Sequence, residues 1–449
     1  MTSESKLQGT PKRGFFANSI PLSARQNRVL NIFFYTVFAG TAAAMLGIIL
    51  YYVYCFAALY NGSDGGNWLL GIFSDFVSIM HAALADNPYA LEDPASYPPA
   101  AILVLYPFAW ICRGVFDTYS HISNENIDEL TSNVILHAEF WVALVLFFLI
   151  CIVSILVVIV KKYRLDAKAA LKVGITAMLS APFVYAIMRG NTIYFALVFL
   201  LLFLLLYDSP NALCRELAYI CLAIAGAIKI YPLFFGVFLL KDGNLKNIFA
   251  SLRVAVYFAV IFVGSFYFFP AGTELFEPFV GNLGGFMEET DRLLSLRNLS
   301  IPSILYKILY LISPTLAASS LQTVLSYILI GVIFVSATVT AIAAKSDLSR
   351  AIIASAVLIL IPSISYFYIL IFEIIPFLEY LRAYDSLPTW KCKLYGAMFM
   401  FMFIAILLLP QCFIPHALII LVMLIMEQKN VVQNDMLPRI GAKVSSKKA

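Results

Sequence analysis

Asp75 lies in the stretch of the chain whose residue types best suit chemistry. It follows the apolar run 68–73 and precedes two aromatic turns, Asn87-Pro88-Tyr89 and Tyr97-Pro98-Pro99. A carboxylate that is partly withdrawn from water is basic enough to accept a proton from a hydroxyl group. The surrounding segment, residues 69–101, is long and aromatic for a plain connection, which is typical of a functional loop. The simpler alternative is a helix cap or a solvated loop charge.

Two cations lie in stretches that otherwise carry little charge. Lys229 interrupts the apolar stretch 217–240, where a lysine is costly unless it reaches an aqueous cavity or an anionic partner. Arg189 starts a turn with Gly190 and Asn191, and an arginine beside the amides of a helix start suits a phosphate. We therefore predict that both cations bind phosphate. The alternatives are an interfacial anchor for the lysine and a snorkelling arginine in a tight turn.

The remaining candidates lie in loops where solvated or interfacial side chains are the alternative. One loop, residues 271–303, mixes charges and amides, and a late turn, residues 361–368, is rich in hydroxyl and aromatic groups. The loop adds two candidates for phosphate binding, Arg292 and Arg297. The candidates for substrate binding are Tyr89, Tyr97, Asn191, Tyr231, Asn298, Ser365 and Tyr366.

The composition defines the environment in which these residues act. Apolar residues make up 62% of the 449 residues and charged residues 12%, with a mean hydropathy of +0.89. Soluble domains carry about twice that charged fraction, so the chain is an integral membrane protein. Apolar runs of about 18 to 20 residues recur, and in lipid such runs must be helices because the backbone has no other way to pair its polar groups. We expect membrane lipid, and no nucleic acid, as a partner.

The apolar runs predict an all-α, polytopic fold with about twelve spanning helices. Two basic cytoplasmic tails, 1–28 and 428–449, flank one membrane domain, 29–427, which contains a first outer loop, 57–135, and a second, 270–317. The predicted spans are 29–56, 136–160, 171–188, 192–207, 214–228, 230–240, 252–269, 318–343, 349–364, 366–381, 393–409 and 412–426.

The distribution of Lys and Arg among the loops predicts which side of the membrane each loop lies on. On this assignment most of the 30 Lys and Arg, including the cluster 161–172, lie on the cytoplasmic side, as the positive-inside rule requires. The run 99–112 is short for a span, and counting it as one would move that cluster outside, so we predict an outer re-entrant or juxtamembrane helix there. The candidate residues then gather at the extracytoplasmic face, at the cytoplasmic membrane if the chain is bacterial.

Two kinds of function lack their usual sequence features. A transporter is expected to show paired halves with polar residues near the midplane, and no repeat between halves is found. An adjacent carboxylate pair for Mg²⁺ is absent near Asp75, and no cysteine or histidine spacing suggests zinc, so we expect no metal and no cofactor.

Taken in order, these motifs resemble the integral membrane glycosyltransferases of family 87, of the GT-C class. The resemblance covers roughly residues 70 to 380. It rests on the loop aspartate, the Pro-Tyr and Tyr-Pro-Pro steps, the glycine turn at 189–191, the Lys229-Ile230-Tyr231-Pro232 helix break, the Asn298-Leu299-Ser300 loop and the late turn. The late turn departs from the family: it reads Ser365-Tyr366-Phe367-Tyr368 where many relatives have a tryptophan and a nearby histidine.

The resemblance implies a reaction. A polyprenyl-phosphate-linked hexose, with mannose the first candidate, is the donor and co-substrate, and a hydroxyl of a glycolipid or polysaccharide is the acceptor. It implies that Asp75 is the general base of an inverting transfer and that Lys229 and Arg189 stabilise the leaving phosphate. Two alternatives remain open: a polysaccharide polymerase or ligase that uses a lipid-diphosphate-linked glycan, and a flippase or transporter of lipid-linked glycans.

Overall fold

The computed structural model describes residues 18–60, 72–91, 95–120, 127–241, 245–288, 290–295, 297–404 and 413–438, together with Phe16. More than half of the predicted N-terminal tail, half of the C-terminal tail, parts of both predicted outer loops and residues 405–412 lie outside the described residues. Within the described residues the chain is helical and forms no strand. A single isolated bridge pairs Asn298 with Tyr366.

The N-terminal half alternates long helices with short ones. In chain order its helices are α1 (Ala24–Tyr60), α2 (Ser74–Leu84), α3 (Pro99–Leu103), α4 (Tyr106–Ile111), α5 (Arg113–Thr118), α6 (Ile127–Val134), α7 (Ala138–Tyr163), α8 (Ala167–Met178), α9 (Ala181–Arg189), α10 (Ile193–Leu206) and α11 (Ala212–Ile228), and a 3₁₀ helix follows at Tyr231–Phe238.

The C-terminal half continues the same pattern. Its helices are α12 (Leu245–Phe266), α13 (Phe276–Glu288), α14 (Thr290–Leu294), α15 (Ile301–Ile312), α16 (Pro314–Ala317), α17 (Ser320–Ala343), α18 (Asp347–Leu360), α19 (Ile374–Ala383), α20 (Thr389–Phe403) and α21 (Phe413–Val431). Shorter 3₁₀ segments lie at Gly272–Leu275, Phe367–Glu373 and Tyr384–Ser386, and a π turn at Val432–Met436.

The sequence explains where several of these helices begin and end. Asp166, Asn211 and Ser300 precede α8, α11 and α15, and each side chain accepts a hydrogen bond from a backbone N–H of the first turn. Helix α11 ends just before Lys229 because Pro232, three residues on, lacks the N–H that a continuing helix needs. This helix end leaves Lys229 at a break between two apolar segments.

Fewer helices are long enough to cross a membrane than the twelve that the sequence predicts. Among the described residues five qualify by length and composition, or six if the bent pair α8 and α9 counts as one span. The sequence count fails because apolar runs hide helix breaks. The pair α8–α9 bends by 58°, and the predicted spans from 192 to 240 and from 349 to 381 fold as helices of 17 residues or fewer. The run 99–112 forms the short helices α3 and α4, neither long enough to span.

Extensive packing joins the helices into one core. Helix α10 packs on α7 and α11, α11 on α12, and α18 on α17, α19 and α21. Exposed apolar side chains cover the outward faces of α7, α12 and α17, as expected for surfaces in contact with lipid.

A buried ion pair lies among the last helices of this core. Glu427 on α21 is 1% exposed and accepts hydrogen bonds from Lys391 at 2.8 Å, Ser349 at 2.6 Å and Asn430 at 3.2 Å, and also from the Tyr395 hydroxyl. The four donors belong to three helices: Ser349 to α18, Lys391 and Tyr395 to α20, and Asn430 to α21. The pair therefore joins three helices at one carboxylate.

Candidate active site around Asp75

Asp75 lies in the first turn of α2, beside the end of α9. Phe73, the residue before α2, has a left-handed backbone (φ 63°, ψ 10°), and its N–H donates to the Met188 carbonyl at 2.7 Å. A left-handed conformation is costly for phenylalanine and is retained only where the surrounding structure enforces it. The turn thereby fixes the start of α2 against α9, and Asp75 points at that junction with a 10% exposed side chain.

Both oxygens of the Asp75 carboxylate have a partner. Arg189 donates to Oδ1 in an ion pair, and Asn191 Nδ2 donates to Oδ2 at 2.7 Å. Asn191 is itself held by its Oδ1, which accepts from the Ile193 N–H at 3.0 Å. The carboxylate is therefore oriented by a charge and by a fully buried amide. The alternative of a simple helix cap does not account for these contacts.

Gly190 is the residue that lets Arg189 and Asn191 point at the same carboxylate. Its φ is +65°, and a Cβ at this position would overlap the Cβ of Phe76. Glycine adopts a left-handed conformation at little cost and leaves room for this close approach. The sequence motif Arg189-Gly190-Asn191 is therefore a turn built around the carboxylate.

Tyr97 lies between the Asp75 carboxylate and Lys229, the lysine that the sequence predicts to bind phosphate. Asn191 Nδ2 lies 3.4 Å from the Tyr97 hydroxyl, and Lys229 Nζ lies 4.2 Å from the centre of the Tyr97 ring. The ring face attracts the ammonium group. Burial, followed by the negative charge of Asp75, raises the pKa of Tyr97 well above its ordinary value. The phenol therefore keeps its proton at physiological pH.

Tyr89 holds the backbone of Tyr97 in place. Its hydroxyl donates to the Tyr97 carbonyl at 3.0 Å, and Asn282 of α13 donates to the Tyr89 carbonyl at 3.0 Å. Tyr89 is 3% exposed. It therefore positions the tyrosine beside the site and has little surface of its own for a substrate.

A cavity of 760 Å³ opens beside Tyr97 and Lys229. Tyr231, Ser365 and Tyr366 also line it, and most of the remaining wall is apolar, with side chains from the 3₁₀ helix Tyr231–Phe238, α12, α13 and α18. The buried Ser365 Oγ has no hydrogen-bond partner among the described residues. The cavity thus combines a polar end with a long apolar body, as a ligand with an apolar tail requires.

Asn298 fastens the second predicted loop to the late turn. Its Oδ1 accepts from the N–H groups of Ser300 at 3.1 Å and Ser365 at 3.0 Å, and its Nδ2 donates to the carbonyls of Arg292 at 3.3 Å and Ser363 at 3.1 Å. The residue is 0% exposed. These contacts make Asn298 a backbone clamp that shapes the cavity wall.

The two arginines of the same loop differ in their surroundings. The Arg292 guanidinium lies 3.8 Å from the centre of the Phe286 ring, and Phe286 lines the cavity. Arg297 is exposed. Arg292 therefore contacts a residue of the cavity wall, whereas Arg297 lies at the surface.

Tyr185 is not among the residues that the sequence predicts for this site, and Tyr368 is predicted only as part of the late turn 361–368. Tyr368 lines the cavity, and its ring stacks on Tyr185 with centres 6.4 Å apart and an angle of 17°. Tyr185 precedes Arg189 by one helical turn of α9, so both side chains lie on the same face. That i, i+4 spacing is the signal in the sequence that identifies Tyr185 once Arg189 is chosen.

No group of three or more His, Cys, Asp or Glu side chains with the geometry of a metal site occurs within the described part of the chain. The site around Asp75 consists of one carboxylate, two cations, amides and phenols.

These features define a polytopic helical membrane protein with a charged site at the mouth of an apolar cavity. The family model for glycosyltransferase family 87 matches residues 96–364, and the chain belongs to that family. The match includes Tyr97, Arg189 and Lys229 but begins after Asp75. None of the curated proteins searched matches the chain.

Proposed function

We propose that this membrane glycosyltransferase moves a hexose, with mannose the first candidate, from a polyprenyl-phosphate-sugar to a hydroxyl of a glycolipid or polysaccharide. Asp75 is the base, and the transfer inverts the anomeric configuration, as in glycosyltransferases of the GT-C class. The observation that carries the proposal is the oriented Asp75 carboxylate, which Asn191 connects to Tyr97 at the polar end of the apolar cavity.

The reaction assigns one role to each group. The acceptor oxygen forms a bond to the anomeric carbon while its proton passes to Asp75, and the bond from that carbon to the phosphate oxygen breaks. The phosphate leaves with the electron pair and stays on the lipid. Lys229, at the cavity wall, neutralises the charge that develops on the leaving group.

Arg189 supports the base more directly than the phosphate. Its guanidinium is engaged by Asp75, so it orients the carboxylate and balances its charge. The sequence interpretation that Arg189 also contacts the donor phosphate stays a prediction, as do the substrate contacts of Tyr231, Ser365 and Tyr366.

The apolar body of the cavity suits the isoprenoid part of the donor. Leu233, Phe234 and Val254 are among the side chains that line it, and burying each CH₂ of a chain contributes about 0.8 kcal/mol. The excess of Lys and Arg in the predicted cytoplasmic loops favours an extracytoplasmic site, at the cytoplasmic membrane if the chain is bacterial.

The experiment is an incubation of purified protein with a panel of polyprenyl-phosphate sugars and an extract of cell-envelope glycans, with released lipid phosphate as the readout. We expect release with one sugar, and a loss of about 10²- to 10⁴-fold in the Asp75→Asn variant, because a general base contributes that much. Asp86→Asn is the matched control, since Asp86 is exposed in the same segment.

The same variant separates the alternatives. A polymerase or ligase would transfer from a lipid diphosphate and tolerate Asp75→Asn, and a flippase would release no lipid phosphate. Release from a polyprenyl-phosphate sugar that survives Asp75→Asn at equal protein level contradicts the mechanism. Transfer is expected to be undiminished by a chelator, and its loss on chelation would contradict the metal-free reaction.

A further inference from the structure

A second cavity, of 530 Å³, lies at the far end of α10 and α11 from Asp75. Helix α10 starts beside Asn191, and α11 ends at Lys229, so the connection between their other ends is about 20 Å away along the helix axes. The start of α12 and the end of the 3₁₀ helix Tyr231–Phe238 complete its wall. This cavity shares no wall residue with the Asp75 site except Leu239.

The wall of this cavity carries more positive than negative charge. Arg215, Lys241 and Arg253 line it. Two carboxylates compensate two of them: Asp208 pairs with Lys241 at 2.6 Å, and Glu216 pairs with Arg253. No carboxylate among the described residues forms an ion pair with Arg215. The described part of the wall therefore carries one positive charge in excess.

The position of Arg215 makes that charge available. Its Nη1 donates to the carbonyls of Ser209 at 2.8 Å and Pro210 at 2.9 Å, which fixes the guanidinium at the α10–α11 turn. Since a guanidinium has five N–H donors, donors remain for an anion in the cavity. Ser209 and Asn247 supply further polar groups to the same wall.

An apolar surface continues from the cavity along both helices. Leu213 and Leu217 on α11, and Leu252 and Val256 on α12, are exposed and lie one helical turn apart on each helix. Phe249 is also exposed and lines the cavity itself. A ligand with one anionic group and long apolar chains fits this combination of pocket and stripe.

We propose that this cavity binds the phosphodiester headgroup of an anionic phospholipid, with its acyl chains along the exposed stripes of α11 and α12. The single negative charge of the phosphodiester matches Arg215, the one cation of the described wall that has no carboxylate partner among the described residues. Basic pockets between membrane helices recognise lipid headgroups in this way. The lipid stabilises the packing of α11, which ends just before Lys229, on α12. The proposal does not depend on the reaction at Asp75.

The test is the thermal unfolding midpoint of the detergent-solubilised protein, titrated with dioctanoyl-phosphatidylglycerol. Dioctanoyl-phosphatidylcholine and inorganic phosphate are titrated in parallel. A ligand that binds the folded state raises the midpoint. We expect phosphatidylglycerol to raise it and the other two compounds to leave it unchanged.

Variants locate the effect. Each lost cation weakens binding by about fivefold, so Arg215→Gln with Lys241→Gln should weaken it by about 25-fold. Lys168→Gln, which removes an exposed charge from α8, is the matched control and should bind like the wild type. If the double variant does not fold, Lys241→Gln alone should still show the fivefold loss.

Three outcomes overturn the proposal. The first is an equal response to phosphatidylcholine. The second is an equal response to inorganic phosphate, which would make the cavity a simple anion site. The third is a response to phosphatidylglycerol that is the same in the variants as in the control.

Discussion

Two buried carboxylates, Asp75 and Glu427, each pair with a cation, and their remaining partners differ. Glu427 receives four hydrogen bonds, with donors from three helices, and is 1% exposed. A carboxylate has about four acceptor positions, so these donors fill it. Asp75 has an arginine and an amide as partners, and its ion pair stays partly open, with 31% of the Arg189 side chain exposed. A filled carboxylate holds helices together, whereas a partly filled one beside a cavity can accept a proton.

The largest effect is expected at Glu427, the carboxylate whose acceptor positions are all occupied by donors. Lys391→Met leaves Glu427 buried without its cation, and breaking a buried pair costs about 3–5 kcal/mol. Thermal or denaturant unfolding in detergent measures the loss, and Lys393→Met, at an exposed neighbour, is the control. A loss below about 1 kcal/mol, typical of an exposed pair, would mean that Glu427 is not a structural carboxylate.

The next largest effect is expected at Asn298. Like Glu427, it is buried and both of its polar side-chain atoms have hydrogen-bond partners. Asn298→Ala leaves the buried N–H groups of Ser300 and Ser365 without their acceptor, and we expect a stability loss of about 2–4 kcal/mol. Unfolding measurements with the surface variant Asn133→Ala as reference provide the test. Unchanged stability with a weaker affinity for donor or acceptor would instead support the sequence interpretation of Asn298 as a substrate contact.

Asn191 belongs to the partly filled site, so its removal should affect the reaction more than the fold. Asn191→Ala removes the donor to Asp75 Oδ2, and we expect transfer to fall by about 10- to 100-fold, as loss of a positioning hydrogen bond of 1.5–3 kcal/mol implies. Rates of lipid-phosphate release, taken together with an unfolding midpoint, separate the two effects. A drop in stability that accounts for all of the lost rate would show that Asn191, like Glu427, has a structural role.

The smallest effect is expected for Tyr97→Phe. The variant keeps the ring under Lys229 and loses the long 3.4 Å contact with Asn191, so we expect transfer to fall by about threefold, the value of a weak hydrogen bond. Tyr97→Leu also removes the ring face, whose attraction for a cation is about 0.5–2 kcal/mol, and should raise the KM for the donor further. Equal rates for the two variants would show that the ring face does not matter.

The sequence predicted the membrane class, the helical fold and the family, because these depend on composition and on local motifs, and five of its candidate residues line the cavity: Tyr97, Lys229, Tyr231, Ser365 and Tyr366. It did not predict that Arg189 pairs with Asp75, since the two residues are 114 positions apart and each alone fits another role. It also assigned Asn298 to the substrate, because an amide in a loop has the same appearance whether it binds a ligand or a backbone. The predicted twelve spans exceed the five or six helices that qualify among the described residues, because hydropathy does not register where a helix breaks or tightens to a 3₁₀ segment, as at Tyr231–Phe238.

The position of Tyr97 has a consequence for the charges on either side of it. Its hydroxyl meets the amide that holds Asp75, while its ring face meets Lys229. The phenol therefore lies between the Lys229 ammonium group and the Asn191 amide that holds Asp75. Asp75 has Arg189 as its ion-pair partner, and no ion pair among the described residues joins it to Lys229. In the proposed reaction the acceptor hydroxyl therefore lies on the carboxylate side of Tyr97 and the donor phosphate on the lysine side.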